Sequence, residues 1–371
     1  MQRTAFYKYH QEHNARFVDF AGWEMPIHYG SIIEEHNQCR NSGAVFDVSH
    51  MGRIKITGRH ARKFLETLLT RKVSDMDEWQ ARYALICNEA GGVLDDVLVY
   101  RFPEHWMLVV NASNRSKIMG HIDAVVQQLD YTVNIDDFTE SSAMIAVQGP
   151  KVMAKIGQFS KQVPTLKNYH FCEKNLMILK MTISRTGYTG EDGVEVILGA
   201  KMANMAINLL LKDKGEGTVK PAGLGARDTL RIEAGMPLYG HELDEQTDPL
   251  SAGLKFAVSL NKDETTQGPA IPRFIGQDAL QQIAAQGVPK TLIGLRVEGK
   301  RTPRQHAEVH ADGQKIGEVT SGCTSPTLGI PIAMAYVSPG AVSPDDTVTV
   351  PMGSREVQAT VCKLPFYKRP K

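Results

Sequence analysis

Gly91-Gly92-Val93-Leu94-Asp95-Asp96-Val97-Leu98-Val99-Tyr100 is the stretch on which the fold reading turns. Its aliphatic and β-branched residues read as a strand, and period-two alternation divides them between two faces. Asp96 shares a face with Leu94, Leu98 and Tyr100, whereas Asp95 shares the other with Val93, Val97 and Val99. If the sheet is covered on even one side, one carboxylate is surrounded by apolar groups. Such burial costs several kcal/mol or raises the pKa, so an acid placed there points to chemistry. The alternative is an edge strand with both acids in water.

Working outward, residues 83–87 read as a preceding strand, and Asn88-Glu89-Ala90-Gly91-Gly92 as a turn whose two glycines suit positive φ. Pro103-Glu104-His105 turns the chain into a third strand, residues 106–111, which completes an antiparallel meander. Ser113 then caps a helix of roughly fifteen residues.

Upstream, residues 1–50 are aromatic-rich and weakly periodic, apart from a helix over about 31–41 with Ile32, Ile33 and His36 at helical spacing. Gly43-Ala44-Val45-Phe46-Asp47 breaks it. Downstream, residues 143–147 form a strand closed by Gln148-Gly149-Pro150, with Pro150 in the first turn of a helix. Strands over 176–185 and 194–198 flank the polar segment 186–193. A helix carrying Met202, Met205, Ala206 and Leu209 on one face ends at Lys214-Gly215, and another covers about 226–234. A linker follows at 261–273. After it come only short strands, at 291–297, 308–310, 315–319, 331–337, 347–350 and 357–362. They are separated by turns at Asp312-Gly313, Ser338-Pro339-Gly340 and Met352-Gly353. That spacing suggests a small closed β-barrel.

A length of 371 residues implies two or three domains. Lys plus Arg (42) and Asp plus Glu (41) nearly cancel, which gives no support to nucleic-acid or anionic-membrane capture. The five cysteines stand far apart with no C-x-x-C pair, which argues for free thiols and against disulfides or zinc. The histidines show no metal-binding spacing, so no metal is expected. The N-terminal residues have no apolar signal core and no segment approaches a membrane span, so a cytosolic protein is expected.

Two further segments could carry chemistry. Thr186-Gly187-Tyr188-Thr189-Gly190-Glu191-Asp192-Gly193, with Glu195 beyond it, resembles a ligand loop on rigid strands, or else a tight hairpin. Its glycine spacing is not the dinucleotide fingerprint. Pro221-Ala222-Gly223-Leu224-Gly225-Ala226-Arg227-Asp228 lacks the third glycine of a phosphate loop. Arg227 and Arg231, one turn apart, could clamp a carboxylate, or pair with Asp228 and Glu233; the second reading is favoured.

Taken in order, a set of blocks spanning nearly the whole chain resembles one family, the glycine cleavage T-protein (aminomethyltransferase). The blocks are Asp19-Phe20-Ala21-Gly22-Trp23-Glu24-Met25-Pro26, Phe46-Asp47-Val48-Ser49-His50-Met51-Gly52, Gly91-Gly92 through Asp95-Asp96, Gln148-Gly149-Pro150 and Ser184 through Gly193. Ala222 through Asp228, Leu238-Tyr239-Gly240-His241-Glu242-Leu243, Thr320-Ser321-Gly322 and Ser325-Pro326-Thr327-Leu328-Gly329 complete the set. The resemblance implies an α+β fold: a three-domain cloverleaf with a C-terminal β-barrel domain around a central folate pocket. It divides the chain into a discontinuous folate-binding domain (1–50 plus 140–270), an antiparallel-sheet domain (51–139) and the barrel (280–371). It implies tetrahydrofolate as co-substrate and the lipoyl arm of H-protein as carrier of an aminomethyl group. The products would be ammonia, methylene-bridged folate and dihydrolipoyl H-protein.

By the same resemblance Asp96 is the key acid, orienting the pterin, assisting proton movement and stabilising an iminium-like cation. Glu195 would accept hydrogen bonds from the pterin ring. Tyr83, Asn111, Tyr188 and Arg227 match folate-pocket positions, as do Tyr169 and Met51. The stretch 264–273 is longer than the family's usual connection, and Gln277 stands where a lysine is common. A folate-dependent demethylase on the same fold is the closest rival, since fold does not fix function. A non-catalytic folate-binding regulator of iron–sulfur assembly is another, but its Lys-Gly-Cys-Tyr-x-Gly-Gln-Glu motif is missing here.

Overall fold

The computed structural model describes residues 1–176, 179–212, 218–264, 270–353 and 355–370. From the N-terminus it forms α1 (Tyr7–Glu12), β1 (Arg16–Phe20), β2 (Trp23–His28), α2 (Ile32–Asn41), β3 (Ala44–Asp47), β4 (Gly52–Thr57) and α3 (Ala61–Leu68). The meander follows as β5 (Gln80–Cys87), β6 (Val93–Arg101) and β7 (Trp106–Val110), then α4 (Arg115–Leu129) and β8 (Asn134–Asp137). Next come β9 (Ser142–Gln148), α5 (Val152–Gly157), β10 (Phe171–Leu176), β11 (Leu179–Ser184), β12 (Gly193–Gly199), α6 (Ala203–Leu210), β13 (Lys220–Pro221) and α7 (Leu224–Glu233). After α8 (Gln277–Gln286) come β14 (Thr291–Val297), β15 (Glu308–Ala311), β16 (Gln314–Thr324), β17 (Pro331–Val337), β18 (Thr347–Met352) and β19 (Arg355–Cys362). The mixture of helices with largely antiparallel sheets is an α+β fold. Among the described residues no helix is long and apolar enough to cross a membrane.

Two compact units result, one of Met1–Leu65, Val73–Tyr83 and Val97–Asp228, the other of Glu66–Lys72, Ala84–Asp96 and Thr229–Lys371. The first contains a six-stranded sheet in the order β10-β11-β12-β9-β3-β13, antiparallel except for the β3–β13 pair. Alternation on β12 and β9 sends Val194, Val196, Leu198, Ile145 and Val147 into a core with Phe6, Tyr9, Ala203 and Ile207. Removing each such aliphatic side chain from water contributes about 1.5–3 kcal/mol. The same alternation turns Glu195 to the opposite face. A β1–β2 hairpin precedes the sheet: with Phe20 opposite Trp23, Ala21 (φ +52°) and Gly22 (φ +81°) form the two-residue turn that primed hairpins require.

Strands β5-β6-β7-β4-β8 form a five-stranded sheet, so the meander stands as expected. Its first turn differs in detail. Gly91 has φ +84°, but Gly92 is needed for closeness, because a Cβ there would lie 1.8 Å from the carbonyl oxygen of Glu245. Ser113 is not a cap: residues 112–114 form a single 3₁₀ turn, and the fifteen-residue helix begins at Arg115. Pro150 precedes the first turn of α5, because the Gly149 and Lys151 amides are engaged by Asp192 and Ser42 carbonyls. Residues 44–47 are a fully buried strand of the sheet and more than a helix break.

The strand expected over 176–185 is two strands, with Leu176 paired opposite Leu179. The preceding run Phe171-Cys172-Glu173-Lys174-Asn175 is too polar for alternation to reveal β10. On α6 the buried face is Ala203 and Ile207, whereas Met205 and Leu209 are exposed. The expected helix end at Lys214-Gly215 lies outside the described residues, as do residues 265–269, half of the longer connection 264–273.

The second unit holds the barrel, closed in the order β14-β17-β16-β15-β18-β19 with β19 pairing back onto β14. Closure removes the exposed edges of the sheet, and Leu295, Val309, Val319, Ala333, Ala335, Val348 and Val361 fill its interior. Arg231 on α7 is fixed in the same unit by Glu242 (2.8 Å) and Ser321 (2.8 Å), and Glu242 also accepts from the Leu238 amide.

Candidate functional site

Glu195 sits on β12 opposite Ser184 of β11, and its side chain is buried. The Thr186 hydroxyl donates to its Oε2 at 2.6 Å, and Ser184 and Tyr100 extend the chain of hydroxyls at 2.8 and 3.2 Å. Burial pushes the Tyr100 hydroxyl well above its ordinary pKa, and the nearby Glu195 charge adds to the effect.

The segment 185–192 that joins β11 to β12 is long for a hairpin and braced at both ends. Gln148, fully buried at the end of β9, donates to the Thr186 and Val194 carbonyls and accepts from Thr189. Gly187 packs so closely that a Cβ would fall 1.9 Å from Gln148 Oε1. Arg185 grips Asp192 through two hydrogen bonds (3.0 and 2.6 Å), and buried Arg40 reaches the Thr189 carbonyl and Glu191. These contacts hold Tyr188 on a rigid support, as a ligand loop requires.

Arg227 projects from α7 with its guanidinium carbon 5.0 Å from the Tyr188 ring centre. Burial lowers its pKa and the Glu195 charge opposes that shift. Its Nη1 is buried and has no hydrogen-bond partner among the described residues. The close approach of Gly223 to the Ile27 carbonyl, 2.4 Å from where a Cβ would stand, sets the start of this helix against β2.

Asp47 ends β3 and anchors the turn that follows. It accepts from Thr4 (2.6 Å), from the Ser49 amide (2.9 Å) and from His10 (2.9 Å), whose other ring nitrogen meets the Tyr29 hydroxyl (2.7 Å). Burial works against the Asp47 carboxylate, but its hydrogen bonds outweigh it and hold the pKa below the usual range. Fully buried Arg53 donates to the Ser49 and Met51 carbonyls, so the turn 49–51 is clamped on both sides. His50, at the centre of that turn, is 4% exposed and has the Phe20 ring edge-on at 5.3 Å. Burial pushes its pKa down to about 4, with Asp47 opposing and Arg227 and Arg53 adding. Its Nδ1 has no hydrogen-bond partner among the described residues.

Glu195, Tyr188, Arg227 and Tyr169 are therefore brought together: Tyr169 acts electrostatically on Tyr100 of the Glu195 chain. Tyr169 is 45% exposed and held at φ +60°, a conformation rare for a tyrosine, by backbone bonds to Ala81 and Arg185. Half-buried Met51 adjoins His50; Tyr83 lies on β5 and Asn111 just after β7, both half-buried. The acidic pair divides as alternation required. Asp95 is the fully enclosed one, among Val93, Val97 and Val99, and Asp96 is half-buried on the more open face with Leu94 and Leu98. Asp96 belongs to the second unit. Arg227 and Arg231 part company, since Arg231 is engaged by Glu242 while Glu233 accepts from Thr327 (2.8 Å) and Ser325.

Gln148, Arg40, Thr186 and His50 escaped the sequence reading as site-building residues. A lone amide closing an apolar strand before Gly-Pro was the available signal for Gln148. His50 and Arg40 gave none that spacing could use. Among the described residues no group of three or more His, Cys, Asp or Glu could hold a metal, and the five cysteines are free thiols.

Comparison with known proteins bears on the whole chain. The family described as GCVT N-terminal domain matches residues 6–262, and the glycine cleavage T-protein C-terminal barrel domain matches 290–368. An aminomethyltransferase of Rubrobacter xylanophilus is 44% identical over 370 residues, covering 100% of this chain and 95% of the relative. One from Thermotoga maritima is 40% identical over 374 residues, covering 99% and 98%. The crystal structure of glycine cleavage system aminomethyltransferase T from Bartonella henselae is similar with a TM-score of 0.89 and 30% identity, covering 99% of this chain and 98% of that one.

Proposed function

This chain belongs to the glycine cleavage T-protein family and is an enzyme of the aminomethyltransferase type, and from that premise we propose the reaction and the residues that serve it. The methylene carbon of an aminomethyl group, carried on the lipoyl arm of H-protein, passes to tetrahydrofolate. Ammonia leaves, and 5,10-methylenetetrahydrofolate and dihydrolipoyl H-protein remain. Tetrahydrofolate supplies the attacking nitrogen; the protein supplies the pocket. No metal enters the proposal, and its place is the cytoplasm. The division into 1–50 with 140–270, 51–139 and 280–371 belongs to the same reading.

In this proposal Glu195 accepts from the amino and N–H donors of the pterin, Arg227 and Tyr188 form one wall, and Tyr83, Asn111, Tyr169 and Met51 form others. Asp96 orients the ring and offsets positive charge that develops on the transferred carbon. The observation that supports the pocket best is the state of Glu195. It is a buried carboxylate with one oxygen fixed by Thr186, within electrostatic reach of Arg227. A ligand edge with adjacent N–H donors suits that arrangement.

The test is ammonia release when aminomethylated H-protein meets the enzyme and tetrahydrofolate. Turnover there supports the proposal. No turnover there, with demethylation of a methylated small molecule instead, would replace it with the demethylase reading.

A further inference from the structure

We infer that His50 is a direct hydrogen-bonding contact for bound tetrahydrofolate, made through Nδ1. The inference rests on the proposed function and adds a residue to it. Its backbone is fixed independently of the ring: Asp47 holds the Ser49 amide, Met144 accepts from the Ser49 hydroxyl (3.1 Å), and Arg53 takes the Ser49 and Met51 carbonyls. Phe20 fixes the ring from the side. A side chain 4% exposed, held this firmly and left with a buried nitrogen that has no partner among the described residues, is costly for the free protein. A ligand polar group placed there removes that cost.

A second unsatisfied atom strengthens the case. Arg227 Nη1 is likewise buried without a partner among the described residues, and the Arg227 charge acts directly on His50. Two unsatisfied groups within each other's field, one of them beside Tyr188 and Glu195, outline one polar ligand edge. The imidazole is neutral, because burial and two neighbouring guanidinium groups disfavour its protonation. It can therefore accept from a ring N–H or donate to a ring carbonyl without adding a third positive charge beside Arg227 and Arg53.

The experiment measures tetrahydrofolate binding by calorimetry for the full chain and for His50→Ala, His50→Asn and His50→Gln. An asparagine amide reaches the Nδ1 position, whereas glutamine reaches the Nε2 position. Binding about tenfold weaker or worse in the Ala and Gln variants, with Asn within about threefold of wild type, is expected for a lost hydrogen bond to a buried group. Unchanged affinity in His50→Ala, or rescue by Gln and not by Asn, would overturn the inference. Should the variants fold poorly, ¹⁵N imidazole spectra of the wild-type protein decide it: the His50 Nδ1 resonance moves on adding tetrahydrofolate, and a resonance that stays put refutes the contact. A wild-type chain that binds no tetrahydrofolate defeats the proposed function itself, a result distinct from normal wild-type binding with an indifferent His50.

Discussion

At residue scale the central pair is Asp95 and Asp96, adjacent in sequence and opposite in environment. Asp96→Asn keeps the shape and removes the charge, so transfer should fall at least about a hundredfold while folate affinity stays within about tenfold. Steady-state rates with a parallel binding measurement check this, and a near-normal rate would make Asp96 structural. His50 supplies a pH prediction. The folded ring titrates at about 4 against an ordinary 6.5, so between those values the unfolded chain takes up a proton that the folded chain refuses. Its contribution to stability is intact above 6.5 and declines as pH falls toward 4. Urea midpoints of wild type should therefore drop more steeply over that window than those of His50→Gln; parallel curves would contradict the assignment. Alternation in the sequence separated the two acids correctly, but it could not say which face was closed. That depends on what packs against β6, which no local pattern encodes. His50 was invisible for a related reason: its meaning comes from Phe20 and Arg227, far away in the chain, as well as from nearby Asp47 and Arg53.

At the scale of elements, the segment 185–192 stands on Gln148 and Gly187. Gly187→Ala places a methyl group 1.9 Å from Gln148 Oε1, so the loop or β9 must shift. A loss of about 1–3 kcal/mol is expected, with weaker folate binding because Tyr188 moves with the loop. Thermal unfolding and a folate titration measure both, and an unaltered variant would show that the loop is not stapled. In the barrel unit, Arg231→Met leaves Glu242 buried without its cation, and destabilisation of about 3–5 kcal/mol follows, read from denaturant unfolding. Legibility varied between elements for physical reasons. The six barrel strands announced themselves because turns such as Asp312-Gly313, both at positive φ, punctuate short apolar runs, although β16 continues to Thr324, beyond the expected end at 319. The β1–β2 hairpin did not, since its turn is Ala21-Gly22 inside an aromatic run. On α6 the exposed methionine and leucine were read as core because hydrophobicity alone does not say which stripe is covered. Strand β10 pairs with β11 through backbone bonds that its polar side chains conceal.

At the scale of the whole molecule, the charge balance gave no support to nucleic-acid capture and the Cys and His spacing none to a metal site, but neither named an activity. The identity came from many short blocks in a fixed order, each weak alone, spread from Asp19 to Gly329. The family matches cover 6–262 and 290–368, so these blocks belong to both regions. The division into compact units was not legible locally, because segments 66–72 and 84–96 group with residues more than a hundred positions away. Long-range grouping of this kind is set by burial after folding and leaves no mark on composition. The claim that joins both regions is carbon transfer to folate, and one measurement addresses it directly. H-protein carrying a ¹³C-labelled aminomethyl group is mixed with the enzyme and tetrahydrofolate in a single turnover, and the label is followed by NMR. The account predicts that the ¹³C signal moves to the methylene bridge of 5,10-methylenetetrahydrofolate as one equivalent of ammonia appears. Label that stays on the lipoyl sulfur, or leaves as free formaldehyde at the same rate with and without enzyme, would contradict it.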